Sequence, residues 1–250
     1  MKIAIISDIH GNLDALSAVL ADLEKEKCRK IFCLGDLVMA GPEPHETLAK
    51  IHDLIINKDI YIIQGNTDNM LSVFSLETYN KILKVNDVMA NAYMADSELL
   101  TDEEKEFLKN LPPQKEIEIG KIKILLVHGS PRRNDENIFP NLKLEEAEEM
   151  IKGTDANIIF CGHTHMPCGY QTNTEQTVVN VGSVGRPFTQ TPDSCYVVMN
   201  IDEEKSTYTL EHRFVKYDVE HACEKIAKRN FKGAEKLAKM LKKATSRYPE

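Results

Sequence analysis

The stretch Lys2-Ile3-Ala4-Ile5-Ile6-Ser7-Asp8-Ile9-His10 decides how the rest of the chain is read. After Lys2 its first half is a continuous run rich in β-branched residues, the pattern of a strand. It then delivers a carboxylate and an imidazole two residues apart, just where the chain leaves the strand. No small-residue cleavage site follows the run, so it reads as a first strand and not as a signal peptide, which predicts a cytoplasmic protein. Residues 12–26 come next, with apolar side chains at 13, 16, 19, 20 and 23, the stripe of a helix packed on that strand.

The same alternation repeats along the first two-thirds of the chain. Residues 31–34 form a short apolar run ending in Gly35-Asp36, and residues 46–57 carry helical spacing behind the breakers Pro42 and Pro44. Residues 60–64 end in Gly65-Asn66. Two or three helices are predicted across 69–110, one of them opening with the capping-box pattern Thr101-Asp-Glu-Glu104. Residues 121–127 end in His128-Gly129, residues 144–151 read as a short helix, and 157–161 end in Gly162-His163-Thr164-His165. Beyond this point 178–181, 196–201 and 207–214 read as strands joined by short polar connections, followed by a helix from about 219 to 245. A βαβ-type half that runs without a boundary into a β-rich half predicts an α/β fold of two packed sheets flanked by helices, in a single domain over 1–250.

Composition narrows the class. The chain has 250 residues, 42% hydrophobic and 28% charged, which fits a globular fold and excludes disordered or fibrous architectures. No apolar run approaches the ~20 residues of a membrane span. The six cysteines (28, 33, 161, 168, 195, 223) form no CxxC pair and no zinc-ribbon pattern, so they read as thiols, mostly buried at strand ends. The net charge of −8 argues against nucleic acid as the main ligand. That charge is unevenly spread: residues 221–250 hold nine Lys/Arg and three Asp/Glu, a net +6 against −14 for the remainder. Such a tail is either a solvated helix face or a dock for a polyanion or a partner.

Five strand ends carry metal-ligand residue types. In an open α/β sheet the carboxyl ends of the strands form the ligand crevice, so residues scattered from Asp8 to His165 can converge there. Asp8, His10, Asp36, Asn66, His128, His163 and His165 offer mixed oxygen and nitrogen donors without thiolate. This set suits Mn²⁺, Fe²⁺, Co²⁺, Ni²⁺ or Zn²⁺ better than Ca²⁺. Seven donors exceed the needs of one ion and fit two ions sharing a carboxylate, a pair that acts on phosphoryl groups when ~3.5–4 Å apart. Ser130 and Ser183 lack a GxSxG context, and no GxxxxGK[ST] occurs, so a serine hydrolase and a P-loop NTPase are excluded.

The order Asp8-x-His10, Gly35-Asp36, Gly65-Asn66, His128, Gly162-His163-x-His165 resembles the calcineurin-like metallophosphoesterases. His128-Gly-Ser-Pro131 and Asn180-Val-Gly-Ser-Val-Gly185 bring the likeness closer to the small prokaryotic phosphodiesterase branch, over roughly residues 1–200. The resemblance implies a four-layer α/β/β/α sandwich of two mixed β-sheets flanked by helices. It implies a dinuclear centre with Asp8, His10, Asp36 and His165 on one ion and Asp36, Asn66, His128 and His163 on the other, Asp36 bridging. Two divalent transition-metal ions are expected, manganese first. The implied activity is hydrolysis of a small phosphodiester or phosphomonoester, such as a diadenosine polyphosphate, by in-line attack of a metal-bridging hydroxide without a phospho-enzyme.

Two departures stand out. Many members read GDxxD and GNH[D/E], with a catalytic His held by an Asp; here Met39 and Thr67 occupy those positions. A threonine hydroxyl hydrogen-bonds phosphate but is a poor proton donor, which predicts a preference for good leaving groups. Asp68 is expected to orient Asn66 or another ligand. The catalytic candidates are therefore Asp36, Asn66, Thr67, Asp68 and His128. Substrate-binding candidates are Asn12, which equally suits a helix cap, and Arg132, whose planar fork with Arg133 beside it suits a phosphate or solvent. Arg186 has weaker support. Tyr79, Tyr93, Met89 and Met94 recur at helical spacing and read as packing residues. The helical insertion across 69–110 is expected to fold over the cleft as a specificity element. The lost His-Asp pair also fits an alternative, a non-catalytic scaffold like the retromer subunit of this fold, with the basic tail as its docking helix. Retention of all seven ligands favours the enzyme.

Overall fold

The computed structural model describes residues 1–246; Arg247 and Glu250 of the basic tail lie outside them. Strands β1 (Lys2–Ile6), β2 (Lys30–Cys33) and β3 (Asp59–Ile62) alternate with helices α1 (Leu13–Lys25) and α2 (Pro44–Asn57). Four helices follow: α3 (Asn66–Ser72), α4 (Leu76–Leu83), α5 (Asp87–Leu99) and α6 (Asp102–Asn110). The chain continues through hairpin β4 (Gln114–Ile119) and β5 (Ile122–Val127), helix α7 (Leu144–Met150), and strands β6 (Ile158–Cys161), β7 (Cys168–Gln171) and β8 (Thr177–Asn180). It ends in β9 (Ser194–Asp202), β10 (Thr207–Val215), α8 (Val219–Ala227) and α9 (Ala234–Lys243).

Two five-stranded sheets result, ordered β10-β9-β1-β2-β3 and β4-β5-β6-β8-β7. Both are mixed. β1, β2 and β3 run parallel while β9 and β10 join antiparallel; β5, β6 and β8 run parallel while β4 and β7 close the edges antiparallel. Alternation along each apolar run assigns the layers. Ile3 and Ile5 of β1 face Ile124, Leu126, Ile158 and Phe160 of the second sheet, forming the core between the sheets. Ala4 and Ile6 point the other way, onto Leu16, Val19, Leu48 and Ile51 of α1 and α2. Leu125, Val127 and Ile159 meet Ile138 and Ile151 beside α7. Strands buried on both faces need apolar residues at every position, which is why they read as continuous runs.

Across 69–110 lie α4, α5 and α6 in full, with the end of α3 reaching into the range, and Thr101 and Glu104 make the reciprocal capping-box bonds at the start of α6. Two expectations are corrected. β4 and β7, both edge strands, are additional to the expected strands. The single C-terminal helix is two, broken at Gly233, whose φ of +102° suits glycine and where a Cβ would stand 2.8 Å from Val88. The tail is not a detached docking helix. Leu237, Met240 and Leu241 are buried against the body. Lys225 pairs with Glu43 at 2.7 Å and Asp14 at 3.1 Å, Lys242 with Glu220 at 2.7 Å, and Arg229 with the buried Asp96. No helix among the described residues is long and apolar enough to cross a membrane.

Candidate metal centre

The strands β1, β2 and β3 of one sheet and β5 and β6 of the other end at the same edge of the sandwich, and tight loops leave from there. Asp8, His10, Asp36, His163 and His165 have φ between 50° and 67°, a left-handed conformation uncommon outside glycine. Such strain persists only where surroundings enforce it. The loops are laced together: Asp8 N–H donates to Gly35 O at 3.0 Å, His10 N–H to Asp36 O at 2.9 Å, and Gly185 N–H to Asp8 O at 2.9 Å. Glycines let the carboxylates approach. A Cβ on Gly65 would stand 2.1 Å from Asp36 Oδ1, and one on Gly162 would stand 2.5 Å from Asp8 Oδ2.

All seven candidate ligands converge. The ligand atoms of Asp8, His10, Asp36 and His165 lie within 4.8 Å of one another. Beside them, Asn66 Oδ1 is 3.0 Å from His128 Nε2, and the His128 and His163 rings are 5.3 Å apart. Asp36 stands between the two groups, 3.6 Å from His10 Nε2 through one oxygen and 3.4 Å from His128 Nε2 through the other.

The donor chemistry fits cations. Nδ1 of His10 faces Met39 O at 3.1 Å, Nδ1 of His128 faces Leu34 O at 2.7 Å, and Nδ1 of His165 faces Arg186 O. A carbonyl accepts only, so each imidazole carries its proton on Nδ1 when neutral and turns the Nε2 lone pair inward. The lone pairs of His10 and His165 then meet at 3.1 Å, and the buried Asp8 Oδ1 has no hydrogen-bond donor. A shared divalent ion relieves both conditions. Without one, protons must redistribute. Burial disfavours charge on His128, but Asp36 and Asp8 override it and push its pKa up to about 10. Burial and the neighbouring His165 bring His10 down to about 3. At Asp8 burial is outweighed by His165 and His128, which bring it down to about 2, and at Asp36 by His128 and His10, which also lower it.

The remaining candidates divide. Asp68 is buried beneath the cluster and accepts N–H bonds from Asp36 at 2.8 Å, Leu37 at 2.9 Å and Gly65 at 2.9 Å. It therefore braces the loop of Asp36, and its hydrogen bonds go to that loop and to Gly65, not to Asn66. Burial and the charge of Asp36 together raise its pKa to about 7. Thr67 donates its backbone N–H to Asp36 Oδ1 at 2.9 Å, but its hydroxyl proton goes to Val38 O at 3.2 Å. Asn12 is corrected to a structural role: it is fully buried, caps α1 through Ala15 N–H, and spends its amide on Gly185 O at 2.9 Å. Arg132 is corrected as well. Its guanidinium clasps Glu136 at 2.6 Å and braces the loop after His128 instead of facing the cluster.

Above the cluster opens a cavity of about 300 Å³. Its floor is His10, Asp36, Asn66, His163 and His165; Arg186 and Phe188 form one wall, and Asn86, the N-cap of α5, Met89 and Tyr93 of α5, Met240 and Ser246 close the others. Phe188 stacks on His165 with ring centres 4.4 Å apart, and the Arg186 guanidinium lies 5.7 Å from the Phe188 ring. The insertion thus reaches the cleft, and Met89 and Tyr93, expected as packing residues, line it. Met240 and Ser246 carry no signal of this in the sequence, since only the folding of α9 across the chain brings them there. A larger groove of about 400 Å³ lies between α1 and α2, near the beginnings of β2 and β3, and holds none of the candidate ligands.

The comparisons agree with this geometry. An uncharacterized protein of Methanocaldococcus jannaschii is 31% identical over 243 residues, covering 90% of this chain and 92% of its own. The crystal structure of a metallophosphoesterase from Sphaerobacter thermophilus is 26% identical, with a TM-score of 0.74 and coverage of 98% of this chain and 99% of the other. A hypothetical protein from Pyrococcus horikoshii shares the fold at a TM-score of 0.86 and 24% identity, covering 97% and 98%. The family model of the calcineurin-like phosphoesterase superfamily domain matches residues 1–204. With that match spanning most of the chain, and with a four-layer sandwich whose strand ends gather Asp and His ligands, the chain belongs to the calcineurin-like phosphoesterase superfamily.

Proposed function

We propose that the protein is a dinuclear-metal phosphoesterase acting on a small phosphodiester or phosphomonoester, with a nucleotide-derived compound as the best-fitting class. The observation that carries this reading is the inward set of Nε2 lone pairs around Asp36, each imidazole held by a backbone carbonyl on its far side. Asp8, His10, Asp36 and His165 would hold one ion, and Asp36, Asn66, His128 and His163 the second. Two such ions supply a hydroxide at neutral pH and neutralise phosphate charge, manganese being the first choice for mixed O/N donors. The chain's own side chains do the rest. Asp36 fixes the spacing of the two groups, and Asp68 fixes Asp36. Arg186, on the wall of the cavity, takes the phosphate-binding role for which Arg132 is turned the wrong way. The apolar wall of Phe188, Met89 and Met240 suits a flat organic substituent on the ester. A cytoplasmic setting fits the six cysteines, all free thiols.

The test is hydrolysis of bis-p-nitrophenyl phosphate in Mn²⁺, comparing wild type with Asp36→Asn. The variant keeps the acceptor for Thr67 N–H, so the fold is retained. Metal-dependent turnover that drops more than about 100-fold in the variant is expected. Absence of wild-type turnover with each of Mn²⁺, Co²⁺, Ni²⁺ and Zn²⁺ overturns the reading and leaves the non-catalytic scaffold.

A further inference from the structure

His10 takes its orientation from a backbone carbonyl, Met39 O, which lies 3.1 Å from its Nδ1. The loop that supplies this carbonyl packs directly on the histidine: a Cβ on Gly41 would stand 1.6 Å from His10 O. The same loop is strained. Met39 and Ala40 are buried with φ of 102° and 60°, a left-handed region that residues other than glycine occupy only under constraint. Contacts from elsewhere in the chain must supply that constraint.

Two remote residues supply it. Asp96 of α5, fully buried, accepts Ala40 N–H at 2.8 Å. Arg229, between α8 and α9, donates to Gly41 O at 2.9 Å and sets its other terminal nitrogen 2.5 Å from Asp96 Oδ1. A planar fork is what lets one side chain meet a carbonyl and a carboxylate together. Phe231 flanks the guanidinium, its ring centre 5.2 Å away. Ile226, Leu237 and Leu241 back the loop, sharing with His10, Ala40 and Gly41 a void of about 10 Å³, which has room for no more than a single water.

The N–H that Asp96 holds and the carbonyl that His10 faces belong to one peptide group. In a trans peptide the two point in opposite directions, so the carboxylate and the imidazole sit on opposite sides of the Met39–Ala40 bond. Hydrogen bonds in such a chain polarise one another: negative charge at the N–H makes the carbonyl a better acceptor for the Nδ1 proton. An imidazole whose Nδ1 proton is held more strongly is a more basic donor at Nε2, the atom turned toward Asp36 and His165.

We propose that Asp96 is a positioning residue for His10, acting through the Met39–Ala40 peptide group, with Arg229 as the clamp that keeps loop and carboxylate together; this rests on the metal-binding part of the reading above. The insertion and the C-terminal helices thereby support a ligand that the first strand delivers.

The test is Mn²⁺ binding by equilibrium dialysis to Asp96→Asn, which matches aspartate in size. Arg229→Lys is the second variant; it keeps a cation beside Asp96, gives up the fork, and decides by the same readings if Asp96→Asn fails to fold. Each is expected to weaken one of two Mn²⁺ ions about 10-fold or more and to leave the other within about threefold of wild type. Asp22→Asn, which loosens the far edge of the sheet without touching this loop, is expected to bind both ions as wild type does. Lost stability alone then does not imitate the effect. Equal weakening of both ions, no weakening in Asp96→Asn, or the same weakening in Asp22→Asn overturns the proposal and leaves the phosphoesterase reading standing. A wild type that binds Mn²⁺ but hydrolyses no bis-p-nitrophenyl phosphate with any of the four metals overturns that reading alone, since dialysis still decides the proposal. A wild type that binds no Mn²⁺ overturns both.

Discussion

Asp68 accepts three backbone N–H groups at 2.8–2.9 Å, from Asp36, Leu37 and Gly65, and so holds the β2 and β3 exit loops together under the carboxylate of Asp36. Its neighbour Thr67 adds an N–H bond to Asp36 itself. A ligand fixed this way needs no reorganisation to meet a cation, which is the usual reward of outer support. Asp68→Asn puts an amide against at least one N–H donor. It is expected to weaken Mn²⁺ binding by about 10–100-fold, measured by equilibrium dialysis, with every ligand still in place. At this scale the sequence was legible for the convergent residues, because Asp and His directly after apolar runs stand out. It was less so for their helpers. Asn12 and Arg132 look like phosphate contacts in one dimension, but Asn12 is committed to Gly185 O and Arg132 to Glu136. Those partners come from distant residues in the first case and from loop curvature in the second, and neither leaves a spacing to read.

A carboxylate of helix α1 ties it to the far edge of its sheet. Asp22 accepts from Tyr196 Oη on β9 at 2.8 Å and from Arg213 Nε on β10 at 2.9 Å. Burial would raise its pKa, but the Arg213 and Tyr196 bonds outweigh it and hold it below the usual carboxylate range. A carboxylate depressed in the folded state stabilises the fold above its unfolded pKa and loses that contribution as pH falls through the folded value. Asp22→Asn is therefore expected to cost about 2 kcal/mol at pH 7, a difference that shrinks as pH falls below the ordinary Asp value of about 3.9, read from urea melts at pH 7 and at acid pH. Elements with a buried face were legible in the sequence, since α1 and β1 carry clean periodicity. Edge strands were not: β4 reads Gln-Lys-Glu-Ile-Glu-Ile and is mostly exposed, so pairing with β5 alone makes it a strand. Helix α4 buries no residue fully, which leaves its stripe without a partner to define it.

The charge asymmetry of the chain is resolved within the molecule. Arg229, between α8 and α9, pairs with Asp96 of the insertion and donates to Gly41 O at 2.9 Å, while Asp96 accepts from Ala40 N–H at 2.8 Å. Tail, insertion and the loop that carries Met39 thus meet at one buried pair, next to the carbonyl that orients His10. Removing one partner of such a pair strands the other charge, so Arg229→Ala is expected to lower stability by about 3–5 kcal/mol in urea unfolding. The layer order was legible from runs apolar on both faces. The closure of the cavity by α9 was not, because it depends on Gly233 redirecting the chain. The strand order has a consequence for how the protein is made. β1 leaves the ribosome well before β9, yet it lies in the middle of its sheet, between β2 and β9. Its β9 side stays bare until Ser194–Asp202 has been synthesised, a wait of about ten seconds or more at ordinary elongation speeds. Throughout that interval an apolar strand with open hydrogen-bonding groups is presented to every neighbouring nascent chain. Its safe passage then depends on being sheltered in the cell, by α1 folding over it or by a chaperone that binds extended apolar segments.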